Sequence, residues 1–241
     1  MLKSKLVSSF KNIFSNPIEI LSRDSYRVLH VIDGEDLEKA ASLVRRGKAD
    51  GFNLNFIRNM PADIDILAEA PKTKFITIHD YGCDLDYAVI NKLKELQSLN
   101  IFTNDNLEID FQKYPSLKEA AIFWRKRAES LYECHNLEKL FLGKYREQDL
   151  QRLHKLQNLR YLRINTGSVR ALAGIENLAS LEELWLMQVS SLKSLEGIKK
   201  LNSLKYLHID NCKNIADISL LSDLRERIKI HLVGTTPKLD E

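Results

Sequence analysis

Four six-residue stretches in the second half of the sequence share one pattern: LEKLFL at residues 137–142, LRYLRI at 159–164, LEELWL at 181–186 and LKYLHI at 204–209. Each stretch has Leu at its first and fourth positions and Leu or Ile at its sixth. The stretches begin 22 or 23 residues apart. Repetition at a period of about 20 to 29 residues predicts a stack of short structural units that share one continuous core.

The same spacing extends over most of the chain. We take the fourth residue of each stretch as position 0, which places Leu140, Leu162, Leu184 and Leu207 at position 0 of their units. Steps of 20 to 25 residues then lead to six more apolar residues, namely Leu29, Leu54, Ile76, Leu99, Ala120 and Ile228. Ten units therefore account for residues 26–233. We expect residues 234–241 to form a flexible tail.

This pattern resembles the leucine-rich repeat family, in particular the class with repeats of roughly 22 residues that is common in bacterial internalin-like proteins. The resemblance is carried by the four stretches and by the apolar residues of one complete unit, which are Leu159, Leu162, Ile164, Val169, Leu172, Ile175 and Leu178. It implies an α/β solenoid with a curved parallel sheet on its concave side. Val189 and Gly167 lie near the place of the family's asparagine, for which Asn211 could serve. The fold is a general binding scaffold and by itself names no function.

The connectors between the strands change along the sequence. Residues 35–46, 62–70 and 84–96 have apolar residues at helical spacing, and Asp84 is a candidate N-cap of the third segment. Later connectors are shorter and contain Gly174 or Gly197. We therefore expect α-helices on the convex side of the N-terminal units and short helical or 3₁₀ turns further on. The last strand should have an unpaired edge, which Lys229 protects.

Composition and charge narrow the function classes. The chain contains 36 Lys and Arg against 33 Asp and Glu, a net charge of +3 that implies no global attraction to nucleic acid or membranes. Its three cysteines, Cys83, Cys134 and Cys212, are too few and too scattered for a disulfide framework. We therefore expect a reducing, cytoplasmic location. A length of 241 residues with 44% hydrophobic residues suits one elongated repeat domain.

Residues 1–25 precede the repeats. Five apolar residues recur there at helical spacing, namely Leu2, Leu6, Phe10, Ile13 and Phe14. Lys11 interrupts the apolar run, and no small-residue cleavage site follows, so the segment does not fit a signal peptide. A solenoid leaves the core of its first unit open, and we predict that residues 1–16 form a capping helix followed by a linker to residue 25. The alternative is a helix on a membrane surface.

Motifs for catalysis and cofactor binding are missing from the sequence. It contains no Gly-rich phosphate loop, no His-Glu-x-x-His and no Cys-x-x-Cys. His79 and Cys83 lie four residues apart, and an ordinary loop pair explains them better than a metal site. We predict that the chain is not an enzyme and uses no cofactor. The alternative is an enzyme with a site in the concavity formed by His208 and Asp210, which share one strand face.

The residues between the buried leucines supply the candidate site. Side chains alternate along a strand, so positions −1, +1 and +3 should face the open, concave side. Seven of these 30 positions are aromatic, whereas the whole chain has 19 aromatic residues in 241. The seven are Phe75, Phe102, Phe123, Phe141, Tyr161, Trp185 and Tyr206. Five of them lie between Phe123 and Tyr206, which predicts a contiguous exposed apolar surface.

We predict that this surface binds a partner protein. The candidate residues are Phe123, Trp124, Phe141, Tyr161, Arg163, Trp185, Met187, Tyr206 and His208. Trp, Tyr and Arg often dominate binding energy, and the nearby basic residues Lys139 and Lys144 suit an acidic partner surface. An immunity, adaptor or regulatory protein of a bacterium would act in this way.

Two alternatives to a protein partner stay open. The rings could shield one another or turn into the core. The surface could also bind nucleic acid through phosphate contacts and base stacking, which Glu119, Glu183 and Asp210 in the same concavity disfavour.

Overall fold

The apolar pattern corresponds to a series of short strands joined by helical connectors. The computed structural model describes residues 18–23, 26–31, 36–56, 63–80, 85–103 and 108–235. The chain divides into two units, Met1–Thr103 and Asn104–Glu241. The predicted capping helix at residues 1–16 lies outside the described residues, as do the candidate cap Asp84 and the cysteine Cys83.

The described residues of the first unit form five strands, which are β1 (Ile18–Arg23), β2 (Tyr26–Val31), β3 (Gly51–Phe56), β4 (Phe75–Asp80) and β5 (Ser98–Phe102). Strands β2 to β5 run parallel to their neighbours. Strand β1 is antiparallel to β2, with Ile20 opposite Leu29. It falls in the segment that we expected to be a linker. Because β1 pairs along the whole of β2, it satisfies the backbone groups at that edge of the first repeat.

The second unit contains six parallel strands, which are β6 (Glu119–Phe123), β7 (Lys139–Tyr145), β8 (Tyr161–Gly167), β9 (Glu183–Met187), β10 (Tyr206–Asp210) and β11 (Lys229–Val233). Leu140 pairs with Leu162, Leu162 with Leu184, and Leu184 with Leu207. All four side chains are completely buried. The predicted inward row of leucines is therefore confirmed in this unit.

The predicted register was wrong in two repeats. Leu29 pairs with Phe52 and Phe52 with Ile76, so position 0 of the second repeat is Phe52 and not Leu54. At the other end, Leu207 pairs with Ile230 and not with Ile228. Both errors are shifts of two residues. Such a shift leaves every side chain on the same face, so the apolar alternation alone could not detect it.

The connectors follow the predicted trend only in part. Helix α1 (Leu37–Arg45) confirms the first predicted α-helix. The second and third segments are instead 3₁₀ helices at Asp65–Glu69 and Tyr87–Lys92. Each closes with a bond from residue i+3 to residue i, as between Leu93 N–H and the Ile90 carbonyl at 3.0 Å. This tighter helix spans the same connector while it still turns its apolar residues inward.

Most of the remaining connectors are also short 3₁₀ helices. Further 3₁₀ helices lie at Phe111–Lys113, Lys126–Glu133, Gln151–Leu153, Ile175–Asn177 and Ile198–Lys200. The last connector returns to an α-helix, α2 (Leu220–Arg225), which the trend along the sequence did not predict. Asp86 caps the helix that begins at Tyr87, because its carboxylate accepts a hydrogen bond from Ala88 N–H at 2.8 Å.

Five successive repeats of the second unit share one backbone conformation at position +4, which lies near the end of β7 and β8 and directly after β9, β10 and β11. Position +4 has a left-handed backbone in each case, at Lys144, Thr166, Gln188, Asn211 and Gly234. The family pattern has its asparagine or cysteine at position +5, so Cys212 occupies that place and Asn211 precedes it by one residue. The buried thiol of Cys212 donates to the Leu186 carbonyl at 3.5 Å. In the predicted tail, Thr235 is only 7% exposed and donates to the Val233 carbonyl.

Gly174 and Gly197 allow a test of how closely neighbouring repeats pack. Both have a left-handed backbone, with φ of 94° and 97°, and both precede a 3₁₀ helix. An added Cβ would lie 2.5 Å from the backbone of Gln151 at Gly174, but 3.1 Å from a side-chain atom of Ile175 at Gly197. We predict that each Gly→Ala variant loses roughly 1–2 kcal/mol of stability from backbone strain. Gly174→Ala should lose about 1–3 kcal/mol more, because backbone cannot yield as a side chain can.

Urea denaturation of the two variants measures this difference. Equal losses of stability in Gly174→Ala and Gly197→Ala would contradict the packing of Gly174 against the preceding repeat.

Candidate functional site

Part of the strand face of the first unit is buried. We expected positions −1 and +1 to face water there, yet Val28, Phe75, Thr77, Ser98 and Asn100 are each no more than 2% exposed. The Asn100 amide donates to Thr77 Oγ1 at 3.2 Å and to Ser98 Oγ at 3.1 Å. Because buried polar groups need such partners, this network belongs to the interior of the unit. The expectation of an open face was wrong for these residues.

The strand face of the second unit carries a cluster of rings. Trp185 lies at its centre, with its ring centroid 6.3 Å from Tyr161, 5.1 Å from Tyr206 and 4.5 Å from His208. We call these four residues the aromatic cluster. The three aromatic residues are half-buried, whereas the leucines between them on the same strands are completely buried. The rings therefore shield one another in part and still reach the surface.

Strand register brings the aromatic cluster together. Tyr161, Glu183 and Tyr206 lie side by side on β8, β9 and β10, and Trp185 lies between Arg163 and His208 one row further along. The Trp185 indole Nε1 donates to Glu183 Oε2 at 3.3 Å. This hydrogen bond orients the central ring of the cluster.

Cations cover two further rings on this face. The Arg163 guanidinium lies 5.1 Å from the centre of the Phe141 ring, and Lys144 Nζ lies 4.7 Å from that of Phe123. The Phe123 ring extends over Gly143, where an added Cβ would come within 2.5 Å of it. Met187 is half-buried on the neighbouring row. The face thus combines apolar rings with positive charge.

Trp124 does not belong to this surface. It is 8% exposed, and its ring centroid lies 5.6 Å from Tyr132 and 5.7 Å from the completely buried Tyr145. Its backbone N–H donates to the Gly143 carbonyl at 2.7 Å. Trp124 follows the last residue of β6, where strand alternation no longer decides which side a residue faces. Its inclusion among the partner-binding residues was therefore wrong.

Burial changes the pKa of one histidine and one tyrosine on this face. His208, which was also predicted to bind the partner, is as little exposed as Trp124, at 8%, and offers almost no contact surface; its Nδ1 lies 3.1 Å from Nδ1 of His231. Burial lowers the pKa of His208, and the neighbouring His231 and Arg163 lower it further, against the opposing effect of Asp210. Burial raises the pKa of Tyr161, so its hydroxyl is protonated at neutral pH.

The alternative site at His208 and Asp210 is not assembled as an acid–base pair. His208 bonds to His231, as described above, and the Asp210 carboxylate accepts a hydrogen bond from the Asn211 amide at 2.7 Å. A general base needs a carboxylate or similar group to orient it. The geometry of the second unit therefore does not favour this alternative.

In the described part of the chain, neither the thiols nor the potential metal ligands form a reactive site. Burial raises the pKa of Cys134 to about 12 and that of Cys212 to about 11, so both are protonated and weak nucleophiles at neutral pH. Among the described residues, no three His, Cys, Asp or Glu side chains converge on a metal position. His79 stacks on Phe102 with ring centroids 5.1 Å apart. Within the same residues, no helix is long and apolar enough to cross a membrane.

Short parallel strands, repeated about every 22 residues with α-helical or 3₁₀ connectors, define the class of the molecule. The chain has the leucine-rich repeat solenoid fold, with ten parallel strands across its two units.

Bacterial proteins are among the solved structures that share this fold. An internalin (InlF) of Listeria monocytogenes shares 18% identity and a TM-score of 0.51 over 88% of this chain and 72% of its own. Internalin C2 of the same organism shares 17% identity and a TM-score of 0.53 over 83% and 92%. The leucine-rich repeat domain of the type III effector XopL shares 16% identity and a TM-score of 0.53 over 95% and 81%. No family model and no curated protein matches the sequence. At these identities the similarity shows the fold alone.

Substitution of the two tryptophans distinguishes a ring in the core from a ring at the surface. We predict that Trp124→Ala lowers the free energy of unfolding by about 3–5 kcal/mol, as expected for a buried ring. Trp185→Ala should lower it by only about 1 kcal/mol, because the ring is partly solvated. Denaturant unfolding of the two variants measures both values, and a comparable loss for Trp185→Ala would show that its ring belongs to the core.

The lowered pKa of His208 predicts a pH dependence of stability. An unfolded histidine titrates near its ordinary pKa of about 6.5, so below this pH the unfolded chain binds more protons than the folded one. Stability should therefore fall as the pH drops below about 6.5. His208→Phe should flatten this part of the curve, measured as urea midpoints at several pH values. An unchanged pH dependence would remove His208 from the explanation.

Proposed function

We propose that this protein is a non-catalytic interaction module that binds a partner protein through the strand face of its second unit. The carrying observation is the aromatic cluster, in which three large rings contact one another and remain partly exposed on an otherwise regular sheet. Exposed apolar patches of this kind on soluble proteins usually mark interaction sites. The leucine-rich repeat fold is a scaffold for such sites, since each strand contributes side chains to one extended face.

The partner that best suits this face carries acidic groups. The exposed lysines of the face, Lys139, Lys144 and Lys229, surround the aromatic cluster, whereas Glu119, Glu183 and Asp210 are half-buried. An approaching protein therefore meets positive charge first. In this arrangement the lysines steer the encounter, and the rings supply most of the affinity.

Nucleic acid is a weaker candidate for the same face. Its bases would stack on open ring faces, but Trp185 already packs against Tyr206 and His208 at 5.1 and 4.5 Å. Glu183 lies in the middle of the cluster and repels phosphate. Single-strand binding proteins instead present open rings along a positive groove.

We also propose a reducing location for the protein, as in a bacterial cytoplasm. Cys134 and Cys212 are both free thiols in the described part of the chain, which supports such a compartment.

Affinity capture with charge and ring variants tests the proposed function. The immobilised protein should retain its partner from a bacterial lysate, and Trp185→Ala combined with Tyr161→Ala should abolish the capture without unfolding the protein. Lys139→Glu should weaken the capture and its salt dependence, because it reverses a steering charge. Lys200→Glu is the matched control, since Lys200 is equally exposed but lies on the connector side.

Capture that survives in the double ring variant, or that Lys139→Glu and Lys200→Glu weaken equally, would contradict the proposal. The identity of the captured protein would decide between an immunity, an adaptor and a regulatory role.

A further inference from the structure

The last strand of the second unit ends the sheet. Among the described residues no strand lies beyond β11, so one of its edges has no strand partner there. The core also opens at this strand. Its inward residues Ile230 and Leu232 are half-buried, whereas Leu207 and Ile209 at the same positions of β10 are completely buried. An open edge with an apolar row beneath it favours pairing with another strand.

The hydrogen bonds of β11 identify the backbone groups that point outward. Lys229 N–H donates to the Lys205 carbonyl at 2.9 Å, and the Val233 carbonyl accepts from Asn211 N–H at 2.7 Å. Lys229 and Val233 therefore bond toward β10. Backbone groups alternate in direction along a strand, so those of Ile230 and Leu232 point to the outer edge.

These outward groups are symmetric about His231, and we propose that β11 pairs antiparallel with β11 of a second copy of this chain. In an antiparallel pair, residues whose backbone groups face each other exchange two hydrogen bonds. Ile230 lies opposite Leu232 of the second copy, and Leu232 lies opposite its Ile230. His231 then lies opposite its own equivalent. A single register thus uses every outward backbone group of the strand.

The side chains of β11 fit the same register. Ile230 and Leu232 meet across the two-fold axis and bury the apolar surface that each leaves half-exposed. Lys229 lies opposite Val233, which is 41% exposed and is the only large hydrophobic residue exposed to this degree in the described part of the chain. Lys229 therefore meets no like charge. It does not act as edge protection against this contact, although it would oppose a parallel pairing with Lys229 of another copy.

The proposed dimer would extend the strand face. A two-fold axis perpendicular to the sheet keeps the strand faces of both copies on the same side. The two aromatic clusters would then be separated by five strand spacings, or about 24 Å between the strands that carry Trp185. The dimer would present two equivalent binding surfaces to one bivalent partner, which increases the apparent affinity.

Disulfide trapping tests the register directly. Residues that face each other across a non-hydrogen-bonded antiparallel pair have Cα atoms about 4.5 Å apart, within the range that a disulfide spans. We expect His231→Cys to form a covalent dimer under mild oxidation. Lys229→Cys is the matched control, because Lys229 lies on the same strand face but four residues away from its own equivalent. Equal trapping of the two variants, or none in His231→Cys, would overturn the proposal.

Charge exchange provides a second test on the full-length chain by sedimentation over a range of protein concentrations. Val233→Lys places two lysines opposite each other and should weaken the dimer at least severalfold, whereas Val233→Glu should strengthen it. The double variant K229E/V233K should restore the dimer lost in Val233→Lys. Circular dichroism verifies that each variant is folded. A wild-type chain that stays monomeric at every concentration, or lysine and glutamate variants that behave alike, would overturn the proposal.

Discussion

The side-by-side stacking of apolar residues between neighbouring parallel strands is the constraint on which the rest of the structure depends. Leu140, Leu162, Leu184 and Leu207 occupy one continuous buried row. A single repeat cannot bury its own leucines, so each depends on the repeats before and after it. Full burial of one leucine contributes roughly 1.5–3 kcal/mol, and the row therefore holds the strands in one register.

Because the buried row fixes the register, it also decides which side chains share the opposite face. Trp185 contacts His208 because the two residues are paired on adjacent strands, and it contacts Tyr161 and Tyr206 because they lie diagonally across from it, one row earlier on the same face. The same register places Thr77, Ser98 and Asn100 of the first unit near one another, where they form a buried polar network instead of a surface. Equivalent positions of the same repeat pattern thus differ in burial, and the proposed binding surface lies where large rings remain partly exposed.

The pattern loses its predictive power where the chain leaves each strand. Alternation decides the side of a residue only while the backbone is extended, and positions +4 have a left-handed backbone from Lys144 to Gly234. Trp124, at position +4 directly after β6, was misplaced because the strand has ended there, although its own backbone is not left-handed. The register errors at Leu54 and Ile228 have another cause, since two apolar residues on one face of a strand satisfy the pattern equally well. The connectors at residues 62–70 and 84–96 were misassigned for a third reason, because apolar residues three or four positions apart fit a 3₁₀ helix as well as an α-helix.

The sequence by itself determined the repeat, the inward row and the aromatic excess on the opposite face, because a period of 22 residues and a period of two along each strand are local properties. Only the tertiary structure decided which positions of those faces are buried, because burial depends on groups far apart in the chain. It also decided that Trp124 packs on Tyr132 and Tyr145, and that His208 pairs with His231 instead of Asp210. Such contacts depend on the direction of each side chain, which spacing along the sequence does not specify.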